Sequence, residues 1–363
     1  WTYWFCWIIT GIADVIAISA YAQFWWPDLP QWAPAIACVA VLLSLNLLTV
    51  KLFGEVEFWF AMIKIVAIVT LVGTGLYMVL TGFSSPAGRT ASLANLWNDG
   101  GMFPHGAMGF FAGFQIAVFA FVGIELVGTT AAEAKDPHRT LPRAINSIPV
   151  RIIIFYVCAL IAIMAVTPWR DVVPSKSPFV ELFVLAGLPA AASIINFVVL
   201  TSAASSANSG VFSTSRMLYG LAQEGDAPKV FGKLSAASVP SRGLVFSCVC
   251  LLGGAFLMWV VPNLVEAFTL VTTVSAILFM FVWSLILLSY ISYRKHRAEL
   301  HQASRYRMPG GVAMCWACLA FFAGIIVLLT FEADTRQALL ATPLWFVLLG
   351  VAYVSMRSIK PGA

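Results

Sequence analysis

Phe110-Phe-Ala-Gly-Phe-Gln-Ile-Ala-Val-Phe-Ala-Phe-Val-Gly-Ile-Glu-Leu-Val-Gly128 decides how this chain is read. The run is apolar throughout except for Gln115 and one carboxylate, Glu125, with Gly123 two residues before it. A charged side chain at the centre of a membrane helix costs about 3 kcal/mol on insertion scales, so it persists where it has a partner or a task. Glycine at the same depth weakens the helix, and non-helical backbone is tolerated there where it is buried in protein or lines a cavity. Together the two residues predict a broken helix around a ligand or ion site.

The rest of the chain agrees with a membrane reading. Its 363 residues are 61% hydrophobic and 10% charged, with a mean hydropathy of +0.91, against about 25% charged in soluble domains. The fold class expected is an all-α polytopic membrane protein. Stretches of spanning length fall at roughly 1–24, 33–51, 57–81, 107–132, 144–167, 189–221, 242–261, 265–292, 311–331 and 340–357. Trp26-Pro-Asp-Leu-Pro30, Lys51-Leu-Phe-Gly-Glu55 and Ser84-Ser-Pro-Ala-Gly88 separate them with turn residues or charges. The first stretch starts at Trp1 without a Met, which reads as a fragment lacking its N-terminus.

The net charge of +5 follows from topology rather than from a nucleic-acid surface. Lys135, Arg139, Arg143 and Arg151 lie on the side of the spans that also holds Arg216, Lys229, Lys233 and Arg242. Lys51, the basic run from Arg294 to Arg307, Arg357 and Lys360 share that side. Arg89, Arg170, Lys176 and Arg336 lie opposite. The richer side is expected in the cytoplasm, with the C-terminus. The lipid bilayer is thus a partner and nucleic acid is not.

Apart from the charges near span ends that mark topology, the ionisable residues weighed inside spans are Asp14, Lys64 and Glu125. Asp14 reads as a structural carboxylate bonded to a neighbouring helix. Lys64 either snorkels to the interface or is a buried ammonium that exchanges a proton. Glu125 either ties helices together or holds an unwound segment, and a Lys and a Glu from different helices would titrate as a coupled pair. Thr201-Ser-Ala-Ala-Ser-Ser-Ala-Asn-Ser-Gly210 places hydroxyls and an amide at membrane depth, where small residues also serve close helix packing. Asn208 is its largest polar group and the ligand-contact candidate there. Glu133-Ala-Lys-Asp-Pro-His-Arg-Thr-Leu-Pro142 reads as a solvated connector with a gating option.

Catalysis finds no support. His105, His138, His296 and His301 fall in or beside loops, without HExxH spacing, and no GxSxG or Walker A motif occurs. Cys315-Trp-Ala-Cys318 has no second pair, so the seven cysteines read as small buried hydrophobes rather than metal ligands. No cofactor is implied and an enzyme is not expected.

Phe119-Ala-Phe-Val-Gly-Ile-Glu-Leu-Val-Gly-Thr-Thr-Ala-Ala-Glu-Ala-Lys-Asp-Pro137, followed by Leu141-Pro-Arg-Ala-Ile145, resembles the sixth helix and following loop of bacterial amino acid permeases. These belong to the amino acid–polyamine–organocation superfamily. Ser213-Thr-Ser-Arg-Met-Leu-Tyr-Gly-Leu-Ala-Gln-Glu-Gly-Asp-Ala-Pro228 resembles their eighth helix and its exit, and the likeness runs along essentially the whole chain. It implies an inverted-repeat (5+5) transporter fold with ten of twelve transmembrane helices present. Residues 1–82 would be helices three to five of the first repeat and 83–106 an extracellular loop. Residues 107–292 would be the second repeat, and 293–363 two C-terminal helices and the tail.

The same resemblance implies a substrate ammonium on backbone carbonyls around Phe119, Ala120 and Val122, beside Gly123, with Phe119 and Phe121 as aromatic lids. It links Lys64 and Glu125 to proton coupling. The implied activity is symport of a proton with a small zwitterionic amino acid, D-serine, D-alanine or glycine, across the bacterial inner membrane by alternating access. Broken helices suit a zwitterion because they offer free amides at one end and free carbonyls at the other. The alternatives are the same fold carrying 4-aminobutyrate, proline or an aromatic amino acid, and a non-transporting truncated membrane protein.

Overall fold

The computed structural model describes residues 1–47, 50–85, 88–129, 136–174, 176–261, 263–304 and 306–359. Their secondary structure is helical, with one isolated bridge between Ser84 and Thr90. In chain order the helices are α1 (Thr2–Ala22), α2 (Trp32–Leu47), α3 (Val50–Leu80), α4 (Gly106–Ala112), α5 (Phe114–Ala120) and α6 (Leu126–Thr129). Then come α7 (Pro137–Ile152), α8 (Cys158–Val166), α9 (Pro178–Leu185), α10 (Pro189–Glu224), α11 (Ser241–Leu251) and α12 (Gly253–Val260). The last are α13 (Leu264–His296), α14 (Ala298–Ala303), α15 (Gly311–Leu328), α16 (Ala333–Ala341) and α17 (Pro343–Ile359).

Length and composition make eight described stretches able to cross a bilayer: Thr2–Ala22, Glu57–Leu80, Arg139–Val166, Pro189–Glu224, Ser241–Val260, Leu264–His296, Gly311–Leu328 and Ala333–Ser355. Trp32–Leu47 and Gly106–Ala120 are apolar but shorter. Each overlaps a stretch expected from the sequence. Leu80 and Trp259 stand three-quarters exposed, as lipid-facing side chains do when the surrounding solvent is hydrocarbon.

Three boundaries differ from expectation. Lys51-Leu-Phe-Gly-Glu55 is not a turn: α3 starts at Val50 and carries this stretch in its first turns. Pro137 to Arg143 is the beginning of α7, not a connector. Proline in a first helical turn loses no backbone bond, because the N–H groups there have no intrahelical acceptor. The stretch 107–132 is cut by turns at Gly113 and at 121–125. The remainder of the proposed gate, residues 130–135 with Glu133 and Lys135, lies outside the described residues, as do Arg305 and Lys360.

The chain divides into two compact units. One comprises Trp1–Ile9, Phe110–Ile145 and Thr269–Ala363; the other comprises Thr10–Gly109 and Asn146–Phe268. The core of the first gathers Val118, Ala276, Ile277, Met280, Ile325 and Leu329, with Phe114, Phe119 and Trp283 against it. The second is built on Leu71, Met78, Ala159, Ile163, Leu182 and Phe183.

Helix pairing in lipid depends on close packing, because the hydrocarbon outside is as apolar as the interface. Gly75 shows how this is achieved in the second unit. A Cβ built there would lie 2.8 Å from the Cβ of Ala162, so glycine sets how closely α3 approaches α8. Helix α10 runs for 36 residues, about 54 Å at 1.5 Å per residue. Its small and polar residues, Ser205, Ala207, Asn208, Gly210, Thr214 and Ser215, are buried.

Candidate functional site

In the first unit the site is the interruption between α5 and α6. Helix α5 tightens at its end, where the Phe121 N–H turns back to the carbonyls of Val118 and Phe119. The Val122 N–H follows, reaching the Phe119 carbonyl at 3.1 Å. Gly123 then takes φ +97°, a conformation that L side chains rarely adopt. Helical bonding resumes with Leu126 N–H to the Gly123 carbonyl at 3.1 Å and Gly128 N–H to the Glu125 carbonyl at 2.9 Å. The Val122 carbonyl accepts no hydrogen bond from the described residues.

Glu125 closes this break with its own side chain. Its Oε2 accepts the Gly123 N–H at 3.2 Å and the Trp283 indole N–H at 3.2 Å. Its Oε1 accepts the Tyr3 hydroxyl at 3.1 Å. A backbone N–H released by a helix break and denied water needs an acceptor, and the carboxylate two residues on supplies it. The same carboxylate draws one donor from α1 and one from α13, so three hydrogen bonds stabilise Glu125 at depth.

Aromatic rings wall this arrangement. Phe279, fully buried, meets Tyr3 edge-on at 6.2 Å, Trp7 edge-on at 5.8 Å and Trp283 at 5.8 Å. Trp7 Cη2 would lie 3.5 Å from a Cβ on Gly123. Its indole nitrogen is buried beside the Tyr3 hydroxyl, with no partner at full hydrogen-bond distance among the described residues. Phe119 is partly buried against the unit's core, while Phe121 and Val122 are half-buried. Ala120 is exposed at the end of α5.

In the second unit the polar centre joins α1, α3 and α10. Lys64 Nζ donates to Ser205 Oγ at 2.9 Å, and Ser205 Oγ donates to Glu57 Oε1 at 2.6 Å. Ser205 is fully buried. Asp14 and Glu57 are the carboxylates whose charge acts on Lys64, and Ser206 bonds to Asp14. One oxygen of each carboxylate, Asp14 Oδ2 and Glu57 Oε2, is buried without a hydrogen bond among the described residues. Lys64 stands on the wall of a cavity of about 1090 Å³ whose lining also includes Tyr21, Gln23, Asn196 and Ser202.

Asn208 is 2% exposed. Its Oδ1 accepts Asn46 Nδ2 at 2.7 Å, and the same Asn46 nitrogen reaches the Leu42 carbonyl at 2.9 Å. The amide thus bridges α10 to α2.

Sequence reasoning singled out Asp14, Lys64, Glu125, Asn208 and the hydroxyl-bearing stretch that holds Ser205, but missed Tyr3, Trp7, Trp283 and Glu57. Glu57 was visible as a second carboxylate seven residues before Lys64, hence on nearly the same helix face. The three aromatic residues carried no such signal, since tryptophan and tyrosine are common throughout this sequence.

A family model described as Amino acid permease matches residues 1–360. The D-serine/D-alanine/glycine transporter of Escherichia coli K12 is 70% identical over 354 residues, which cover 98% of this chain and 75% of that protein. The amino-acid permease AapA of Bacillus subtilis is 51% identical over 353 residues, covering 97% and 76%. The probable threonine/serine transporter YbxG of Bacillus subtilis is 41% identical, with the same coverage.

Proposed function

This chain belongs to the amino acid permease family, and from that premise we propose that it moves D-serine, D-alanine and glycine together with a proton across the bacterial inner membrane by alternating access. The family has the amino acid–polyamine–organocation transporter fold, and the protein is an integral membrane amino acid transporter rather than an enzyme. The observation that carries the substrate assignment is the 70% identity to a transporter named for those three amino acids, over 98% of the chain.

The broken helix supports the reading chemically. The substrate ammonium would sit at the carbonyl end of α5, among Phe119, Ala120 and Val122, where the Val122 carbonyl has an unused acceptor. The break at Gly123 brings backbone rather than side chains to the ligand, and Phe121 would cover it. The buried indole N–H of Trp7 is a donor suited to the substrate carboxylate. Glu125 would keep the break open and respond to the proton through its three donors, while Lys64 would carry the coupled proton. Asn208 would act through its bridge to Asn46, holding α10 in place beside the pathway.

Charge distribution supports a cytoplasmic C-terminus. The repeat boundaries belong to the same proposal: residues 1–82 would be helices three to five of the first repeat, 83–106 the external loop, 107–292 the second repeat, and 293–363 the two C-terminal helices and tail.

Uptake of labelled glycine into membrane vesicles tests the function. Unlabelled D-alanine and D-serine should compete, while proline and 4-aminobutyrate should not. Uptake that D-alanine leaves unchanged refutes the substrate assignment. Accumulation that ignores an imposed pH gradient refutes proton coupling.

A further inference from the structure

Proton coupling through Lys64 leaves one matter open, namely where the proton goes when it leaves the ammonium. Lys64 and Glu57 are seven residues apart on α3, about 10 Å along the helix axis, and both reach one hydroxyl from α10. Ser205 Oγ accepts from Lys64 Nζ at 2.9 Å and donates to Glu57 Oε1 at 2.6 Å. A hydroxyl has one proton to give, and here it is aimed at the carboxylate while its lone pair faces the ammonium. That polarity matches a proton moving from Lys64 toward Glu57.

Glu57 also has an acceptor position to spare. Its Oε2 is buried and accepts nothing from the described residues, so the carboxylate has room for one more proton among its lone pairs. The charged groups around the chain of bonds are few. Asp14 on α1 acts on Lys64 directly, and Tyr21 on α1 and Cys38 on α2 face Asp14. Lys176 and Glu181, the latter from α9, line the cavity that Lys64 borders and pair with each other at 3.4 Å. Helix α8 carries Cys158, and Arg216, Tyr219 and Glu224 on α10 lie about three turns or more beyond Ser205. Glu55, exposed on α3, lies two residues nearer the Val50 end of the helix than Glu57.

Resting on the reading of Lys64 as the proton carrier, we propose that Ser205 is a proton relay and that Glu57 is the acceptor from which the proton leaves toward the Val50 end of α3. In the step an N–H bond of Lys64 breaks as its proton binds Ser205 Oγ. The original hydroxyl proton of Ser205 moves to Glu57 Oε1. Ammonium and carboxylate become amine and carboxylic acid, with the total charge and number of protons unchanged. Two half-buried charges on either side of the fully buried Ser205 are replaced by two neutral groups, which offsets part of the cost of moving the proton off the more basic site. Glu57 then releases its proton to water, and Lys64 is free to take another.

The test uses the intact transporter in membrane vesicles and compares two D-alanine measurements: accumulation driven by a pH gradient, and exchange at equal pH, which needs no net proton movement. Ser205→Ala and Glu57→Gln should each lower the ratio of accumulation to exchange by about tenfold or more, whereas Ser205→Thr, which keeps the hydroxyl, should stay within about threefold of the parent. Where Ser205→Ala shows no exchange, Glu57→Gln decides. A parent that responds to the gradient and variants that keep its ratio overturn the relay alone. Ser205→Thr falling as far as Ser205→Ala also overturns it, since the hydroxyl would then be irrelevant. A parent blind to the gradient overturns the proton reading and the relay with it.

Discussion

Trp283 Nε1 donates to Glu125 Oε2 at 3.2 Å, and that same oxygen holds the Gly123 amide at 3.2 Å. One carboxylate oxygen therefore couples α13 to the backbone of the broken helix. Any movement of α13 relative to the break must stretch this junction, a suitable place for a transporter to register a change of state.

Removing the indole donor while keeping an aromatic ring isolates that junction. Trp283→Phe should preserve the packing on Phe279 and Phe322 and lose a bond to a charged acceptor, worth about 1.5–3 kcal/mol when buried and less at this half-buried position. Tyr3→Phe removes the donor to the other oxygen. Uptake should fall about three- to tenfold in each. Because both act on one carboxylate, the double variant should lose less than the product of the single losses. Strict additivity in D-alanine uptake would show that the two donors act independently.

Gly123→Ala tests the backbone. The space beside Gly123 would admit a methyl group, since its nearest neighbour is Trp7 Cη2 at 3.5 Å, but φ +97° would not. The strain should cost about 1–2 kcal/mol and reduce uptake, and enlarging the space with Trp7→Phe should not restore it. Recovery in the double variant would show that crowding, not φ, was the obstacle.

The architecture was largely legible in the sequence because membrane helices announce themselves by length and apolarity. Glu125 and Gly123 also marked the break correctly, since a charge and a flexible residue at one depth have few other uses. What was not legible was partnership. Lys64 and Glu125 were weighed as one coupled pair; the partners that each has within its own unit, the hydroxyl of Ser205 and the charges of Glu57 and Asp14 for Lys64 and three neutral donors for Glu125, were not named. Such pairings depend on which helix faces abut, information that is spread over many packing residues. The start of α3 was misread for a related reason: Lys51 and Glu55 look like a loop by charge, yet a helix leaving the membrane carries charges on its first turns without breaking.

Gly75 should tolerate no branched side chain. A Cβ there would lie 2.8 Å from the Cβ of Ala162 and 3.2 Å from its carbonyl oxygen. Gly75→Val should separate α3 from α8 and lower stability by about 1–3 kcal/mol, as overpacking does. The thermal midpoint in detergent, followed by loss of the monodisperse fraction, measures this. Ala162→Gly should recover part of the loss for Gly75→Ala, since the backbone contact remains. A Gly75→Val variant as stable as the parent would mean that the two helices do not approach as closely as described.

Asn208 separates a helix tie from a ligand contact most directly. Its buried Oδ1 accepts from Asn46 Nδ2 at 2.7 Å. Asn46→Ala leaves that oxygen unpaired and Asn208→Ala leaves the Asn46 amide short of a partner, each costing about 1–3 kcal/mol. If the pair is only a tie, both variants should lose similar stability, the double variant should be milder than their sum, and the KM for D-alanine should move equally in both. A KM increase of about tenfold in Asn208→Ala that Asn46→Ala does not share would instead place the amide against the substrate. The comparison needs uptake kinetics on protein quantified in the same vesicles, so that lost stability is not read as lost affinity. The 2.7 Å bond predicts that the two variants behave alike, with Asn208 acting by fixing α10 against α2.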